Sequence, residues 1–168
     1  PHTQKGEGHF IALLKKDGER ADRAFSKKTT KKNTESGVKL FKAFEKETLF
    51  TDFDGCFEMF GDNLYLVPHG IDTDGLKLVR GGLHLGVCKK NRFEPSQALL
   101  SSLELSEFKN SVSFFAESEE IRKYLRGETI NSDVKGYCCM AVGKAPLGWA
   151  KGSDGILKNH FPKYLRLP

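Results

Sequence analysis

Apolar residues in the first half of the chain follow two different periods. Residues 38–49 place Val, Leu and Phe at helical spacing, and Ser36 precedes them as a suitable N-cap. Residues 56–60 and 64–67 are two short apolar runs on either side of a Gly-Asp-Asn turn, and the second run ends at Pro68. This pattern predicts a helix followed by a β-hairpin.

The second half reads mainly as short strands. Two helices interrupt them: one runs from Ser96 to Leu105, and another is capped by Ser118 and ends at Gly127. The predicted strands cover residues 76–79, 83–87, 111–115, 137–142, 147–151 and 156–159. We therefore expect an α+β chain, in which a small helix-plus-hairpin unit precedes a small mixed β-barrel with two inserted helices.

The N-terminal region has a different pattern of apolar and polar residues. Residues 9–14 are apolar and predict one buried strand, and a polar, lysine-rich stretch follows it. Such a stretch buries too little apolar surface to offset its ordering entropy, so we expect a linker. Because the first residue is Pro1 and the strand lacks neighbours, we expect a piece of a longer protein. The expected divisions are residues 1–16, 17–36, 37–72 and 73–168.

Charge is segregated along the chain, which has a net charge of +5. Residues 76–98 carry +4 and residues 135–168 carry +5, whereas residues 48–75 carry −6 and residues 99–134 carry −3. Two basic segments far apart in sequence can form one face if the fold brings them together. That arrangement is the electrostatic signature of a phosphate-backbone binder, although each segment can equally be an ordinary solvated face.

The candidate RNA-binding residues come from these two segments. Lysine and arginine neutralise phosphates, glycine turns let the backbone approach, and aromatic rings stack on unpaired bases. For the single tryptophan the competing reading is core packing. The candidates are Lys89, Lys90, Arg92, Trp149, Lys151, Lys158, Asn159, His160 and Lys163.

The sequence offers no independent case for catalysis or metal binding. Cys138 and Cys139 are adjacent in an apolar strand without an accompanying general base, so a structural role is favoured. The histidines are far apart and no phosphate-loop or calcium-loop spacing occurs, so we predict no catalytic, cofactor-binding or metal residue. Unpaired thiols, and the lack of a leader or a long apolar run, predict a cytoplasmic protein without a membrane segment.

Three stretches resemble a known family. They are Pro1-His2 with residues 6–12, residues 92–99, and residues 148–163, which begin Gly-Trp-Ala-Lys-Gly and end Asn-His-Phe-Pro-Lys. In this order they resemble the C-terminal part of the Sun family of RNA cytosine carbon-5 methyltransferases, of the type that acts on bacterial 16S ribosomal RNA.

The resemblance implies a parent enzyme that transfers a methyl group from S-adenosylmethionine to a cytosine of small-subunit ribosomal RNA. Residues 1–16 would be the last strand of its catalytic domain, and residues 73–168 a PUA-like RNA-binding domain. The family's catalytic cysteines lie in Pro-Cys and Thr-Cys motifs that do not occur here, so no catalytic residue is carried over.

We therefore expect an RNA-binding, targeting region whose partners are ribosomal RNA or the small ribosomal subunit and its own upstream catalytic domain. Two alternatives remain open. In one, the barrel is a protein-interaction module that docks on the catalytic domain or on a ribosomal protein. In the other, the chain is a small enzyme that uses Cys138 or Cys139.

Overall fold

The first sheet is a four-stranded antiparallel sheet with a helix packed on one face. A computed structural model describes residues 32–68 and 81–168. The strand order of this sheet is β1-β2-β3-β4. Its elements are α1 (Lys32–Thr48), β1 (Cys56–Phe60), β2 (Asn63–Val67), β3 (Leu83–Lys89) and β4 (Arg92–Pro95).

Helix α1 lies close to this sheet because its contact stripe contains a glycine. A Cβ atom added at Gly37 would come within 2.9 Å of Met59 Sδ. One turn later, the Phe41 ring is buried, with its centroid 6.0 Å from the Phe57 ring and 5.3 Å from the Phe93 ring. The small residue permits the close approach, and the phenylalanines then fill the space between helix and sheet.

The second sheet is mixed and curled, with the strand order β5-β7-β8-β9-β6. β5 runs parallel to β7, and the other described pairs are antiparallel. Its strands and the two remaining helices are α2 (Gln97–Ser101), β5 (Ser111–Phe114), α3 (Glu119–Arg126), β6 (Ile130–Asn131), β7 (Gly136–Val142), β8 (Ala145–Ser153) and β9 (Ile156–Asn159). The expected α+β fold with a PUA-like second part is confirmed.

A serine begins each of the two short helices, and a glycine ends α3 as its sequence predicts. The Ser118 hydroxyl accepts a hydrogen bond from Ile121 N at 3.3 Å, and Gly127 closes α3 with a φ of 89°. A left-handed residue at this position favours glycine. Ser96 caps α2 in the same way as Ser118 caps α3. None of the helices among the described residues is apolar and long enough to cross a bilayer.

Both faces of the second sheet are covered because alternate residues of its strands enter two apolar clusters. Cys139, Ala141 and Trp149 point into the core shared with α1 and the first sheet. Their neighbours Cys138 and Ala150 point the other way, into a smaller cluster with α3. The single apolar run of β7 therefore serves two cores at once.

Trp149 joins the two sheets. Its ring lies 5.6 Å from the Phe44 ring of α1 and 5.4 Å from the Phe108 ring, and only 1% of the residue is exposed. Its Nε1 donates to Ser96 O at 2.8 Å, and its carbonyl accepts from Tyr124 Oη at 2.7 Å. One residue thus connects α1, the start of α2 and α3.

The connection from β6 to β7 crosses β8 at a glycine. A Cβ atom on Gly152 would lie 1.7 Å from Val134 O, so no larger residue fits at this crossing. β6 pairs with β9 at one edge of the sheet, whereas β7 lies on the far side of β8. The glycine lets the chain pass over the end of the sheet and close it.

Several sequence predictions differ from the structure in their limits. Helix α1 begins at Lys32, inside the expected linker 17–36, because its buried side already includes Thr34. The predicted helix 96–105 is only α2, since the Ser102 hydroxyl donates to Leu99 O at 2.8 Å and the chain then leaves the helix. β4 and β6 were not predicted.

The expected division between residues 72 and 73 does not separate the sheets. β2 pairs with β3 across this point, so the predicted hairpin is half of a four-stranded sheet. The hairpin alone could not bury its apolar face, and β3 and β4 complete it. The predicted strands 9–14 and 76–79, and the linker up to residue 31, lie outside the described residues.

We expect Trp149→Phe to lower the free energy of unfolding by about 1–3 kcal/mol, because the shared core loses volume and Ser96 O loses its donor. Urea denaturation followed by circular dichroism measures this change. Tyr164→Phe, at a residue that is 83% exposed, is the control and should change the value by less than about 0.5 kcal/mol. Equal midpoints for the two variants would contradict the role assigned to Trp149.

Candidate nucleic-acid interface

A row of three side chains crosses the second sheet. Tyr137 of β7 pairs with Lys151 of β8, which pairs with Lys158 of β9. Directly paired residues point to the same face of a sheet, so the three side chains form a line across three strands. Lys151 is two residues after Trp149 on β8 and points to the same face of the sheet. The row therefore lies next to the buried Trp149.

The Tyr137 ring is the centre of this row. Lys151 Nζ lies 4.9 Å from the centroid of the ring, at cation–π distance. The His160 ring lies 5.5 Å from the Tyr137 ring at an interplanar angle of 69°. On its inner side the same ring packs against Phe44 at 5.4 Å. The tyrosine therefore anchors a lysine and a histidine to the core.

The β3–β4 hairpin supplies the other basic segment. Lys89 and Arg92 are paired at its end, and Lys90 lies in the turn between them. Arg92 is already ion-paired, with its Nε 2.8 Å and its Nη2 2.7 Å from Glu94 Oε1. Lys89 Nζ lies 3.9 Å from Asp62 Oδ2. The hairpin is thus less basic in the structure than in the sequence.

Phe44 of α1 connects β4 with β7, because its ring lies 5.2 Å from the Phe93 ring and 5.4 Å from the Tyr137 ring. Burial raises the pKa of Tyr137, the carboxylate of Glu94 raises that pKa further, and the guanidinium of Arg92 opposes both effects. β4 and β7 thus pack against the same phenylalanine of α1, and Arg92 is the residue of the first basic segment whose charge acts on Tyr137.

His160 shares this environment. Although its side chain is partly exposed, burial lowers its pKa from the usual 6.5, and the nearby charge of Lys151 lowers it further. Glu94 acts in the opposite direction. The imidazole is therefore neutral at pH 7 and gains its charge only in more acidic solution.

Three lysines of this surface have no counter-charge. Within the described residues, no carboxylate lies within ion-pair distance of Lys90, Lys151 or Lys158. Lys151 and Lys158 are moreover directly opposite each other on neighbouring strands. Like charges in such a pair repel and destabilise a sheet by roughly 0.2–1 kcal/mol.

Three of the predicted residues do not belong to the row. Trp149 is buried and cannot stack on a base. Asn159 points to the other side of the sheet, where its Nδ2 donates to Tyr124 O at 2.7 Å and its Oδ1 accepts from Phe161 N at 2.9 Å. Lys163 is exposed in a 3-10 turn of the C-terminal tail, and no described contact links it to Tyr137 or Lys151.

Sequence reasoning missed Tyr137 and Glu94. Tyr137 was assigned only to a strand, yet its spacing of two from Cys139 puts the two side chains on one face. Its partner Lys151 could be found only from the strand register. Glu94 was missed because β4, the strand that carries it, was not predicted.

The two adjacent thiols are unsuited to nucleophilic chemistry. Cys138 and Cys139 are fully buried, and burial raises the pKa of each to about 12. Both are therefore protonated at neutral pH and inaccessible to a substrate. Within the described residues, no three His, Cys, Asp or Glu side chains gather into a possible metal site.

Two family models match the chain. Residues 43–103 match the model of the RsmF rRNA methyltransferase first C-terminal domain, and residues 111–167 match that of the methyltransferase RsmF PUA domain. Together the matches cover more than two thirds of the chain. The gap between them falls between α2 and β5, where the first sheet ends and the second begins.

We expect an NMR titration to give His160 a pKa below 6.5, because burial and Lys151 both disfavour the imidazolium. Lys151→Met should raise this pKa, Glu94→Gln should lower it further, and Lys144→Met, in the β7–β8 turn, should leave it unchanged. Since the unfolded chain binds this proton at higher pH than the folded chain, the contribution of His160 to stability is lost as the pH falls below about 6.5. A His160 pKa that ignores both Lys151 and Glu94 would contradict the described geometry.

We expect iodoacetamide to label Cys138 and Cys139 only when the protein unfolds, since both thiols are buried and protonated. Peptide mapping by mass spectrometry at pH 7, with and without urea, measures the labelling of each cysteine. The partly exposed Cys56 is the internal control and should react faster in the folded protein. Rapid labelling of Cys138 or Cys139 without urea would revive the enzyme alternative.

Proposed function

Because the chain belongs to the RsmF family of rRNA methyltransferases, we propose that it binds ribosomal RNA and positions one cytosine of the small-subunit RNA for a catalytic domain outside the two matched domains. Its partners in this role are the RNA or the small ribosomal subunit and that catalytic domain. S-adenosylmethionine would be the methyl donor of the whole enzyme. We assign no residue of this chain to it.

The pairing of Lys151 with Lys158 is the observation that carries this proposal. Lys151 and Lys158 are opposite each other on one face of the sheet, and among the described residues no carboxylate lies within ion-pair distance of either. Like charges at such positions destabilise a sheet. A phosphate placed between them removes the repulsion and gains two charge-assisted contacts. The arrangement is therefore complementary to a polyanion.

The surroundings of the pair extend this complementarity. Tyr137 holds Lys151 in place, so less side-chain entropy is lost when a phosphate binds. Lys90 of the β3–β4 hairpin adds a third cation that has no carboxylate at ion-pair distance among the described residues. These lysines would contact phosphates of the RNA backbone and would not distinguish one base from another. The proposed role is therefore to orient the RNA and not to select its sequence.

The protein-interaction alternative has one observation in its favour. The C-terminal tail carries exposed apolar side chains, with Tyr164 83%, Leu165 47% and Leu167 53% exposed. Leu167 N donates to Leu125 O at 3.0 Å, which fixes the tail beside α3. A tail of this kind could contact the catalytic domain while the basic row binds RNA, so the two roles are compatible.

We expect Lys158→Glu to weaken binding of a small-subunit ribosomal RNA fragment about three- to tenfold at 0.1 M salt, because a phosphate contact becomes a repulsion. The slope of log affinity against log salt concentration should become shallower by about 0.7–1. Fluorescence anisotropy at several salt concentrations measures both quantities. The same variant should unfold at an equal or higher urea concentration, since it replaces a like-charge pair with an opposite-charge pair.

Lys144→Glu is the matched control, because it makes the same charge change at an exposed turn on the other end of β8. Its affinity should stay within about twofold of the unchanged protein. If the two reversals weaken binding equally, only net charge matters and the row is not the site. Absence of RNA binding at low salt would refute the proposed function altogether.

A further inference from the structure

The face of the first sheet opposite α1 carries a line of aromatic rings. Phe57 and Met59 of β1 pack in the core, so Glu58 and Phe60 point to the other face. Glu58 pairs with Tyr65. Tyr65 in turn pairs with His84, which places the tyrosine and the histidine on the same outward face as Phe60.

The three rings support one another. The Tyr65 and His84 rings are stacked, with centroids 4.8 Å apart and an interplanar angle of 29°. The Phe60 ring stands at 78° to the Tyr65 ring at 5.5 Å. Phe60 is 38% exposed, and none of the three rings belongs to either core cluster of the described residues. An exposed ring is thus held in one orientation at the surface.

This aromatic line is continuous with the basic hairpin. Strand register places Phe60, Asn63, Val87 and Glu94 in one row across all four strands. The next pair of β3 and β4 on the same face is Lys89 with Arg92. The outward face therefore has rings towards β1 and cations towards β4, over a width of about 14 Å. Phe93 of β4 and Tyr137 of the second sheet both pack on the Phe44 ring of α1.

We propose that Phe60, supported by Tyr65 and His84, stacks on unpaired bases of the RNA whose backbone lies along the basic row. This inference rests on the proposed RNA-binding function and adds a second contact of a different kind. A four-stranded sheet with a helix on one face and aromatic rings on the other is a surface on which single-stranded RNA can lay its bases. The ligand class is single-stranded RNA, because paired bases do not offer their faces.

The charge pattern favours RNA over a protein partner for this face. Asp62 and Glu94, the carboxylates beside the hairpin, are already engaged by Lys89 and Arg92. Lys90 beside them has no described counter-charge. Glu58, opposite Tyr65, lies on the other side of Phe60 from Lys90, so a strand whose bases reach Phe60 can place a phosphate near Lys90 away from that carboxylate.

Anisotropy titrations with two RNAs of equal phosphate number test the inference. One is a single strand of about twelve nucleotides without secondary structure, and the other is a fully paired duplex. We expect Phe60→Ala to weaken binding of the single strand about tenfold and to leave duplex binding and the salt slope unchanged. Phe60→Leu, which keeps an apolar side chain without the ring, should behave like Phe60→Ala.

Phe115→Ala is the matched control, because it removes an aromatic ring that is 86% exposed beyond the end of β5. It should leave both affinities unchanged. An unchanged Trp149 fluorescence spectrum verifies the fold of every variant, since this is the only tryptophan of the chain. Ultraviolet cross-linking from a 5-iodouracil-substituted strand should label the peptide that contains Phe60.

The outcomes separate this inference from the proposed function. If Lys158→Glu weakens both RNAs while Phe60→Ala affects neither, the basic row binds RNA and the stacking surface is refuted. Equal losses for both RNAs in Phe60→Ala would also refute base stacking. If the unchanged protein binds neither RNA, the proposed function fails, and this inference fails with it.

Discussion

The burial of one indole between two sheets is the constraint on which the molecule depends. Trp149 fills the space left by α1, the start of α2 and the second sheet, and its polar atoms are bonded on both sides. Because its strand continues directly into Lys151, the position of the basic row follows from the packing of the core. A shift of Trp149 would therefore move the row relative to the first sheet.

Contacts with aromatic rings and strand register, more than ion pairs, position the charged side chains of this surface. Tyr137 places a lysine and a histidine around itself, and Glu94 acts on both rings from a neighbouring strand. Arg92 and Lys89 of the β3–β4 hairpin each have a carboxylate at ion-pair distance. Among the described residues of this surface, Lys151 and Lys158 have none, and the pairing of β8 with β9 places them opposite each other.

Local patterns in the sequence predicted individual helices and strands, but they did not predict which strands pair. The cap at Ser118 and the stop at Gly127 predicted α3 correctly, because both act within a few residues. The division at 72/73 did not hold, since pairing of β2 with β3 is a long-range event that no local pattern encodes. In the same way, the sequence put Lys158 and Asn159 in one candidate set, whereas separating them required knowing which side of β9 each faces.

The closure of the second sheet has a consequence for biosynthesis. β6 pairs with β9, so Ile130 can form its pair only after Leu157, which is translated later, has emerged. Gly152, where the chain crosses over, lies between the two. A nascent chain that has emerged only as far as β8 has neither a completed sheet nor the lysine pair. The affinity for a polyanion that we propose thus arises only with the last strand, after the ribosome has finished almost the whole domain.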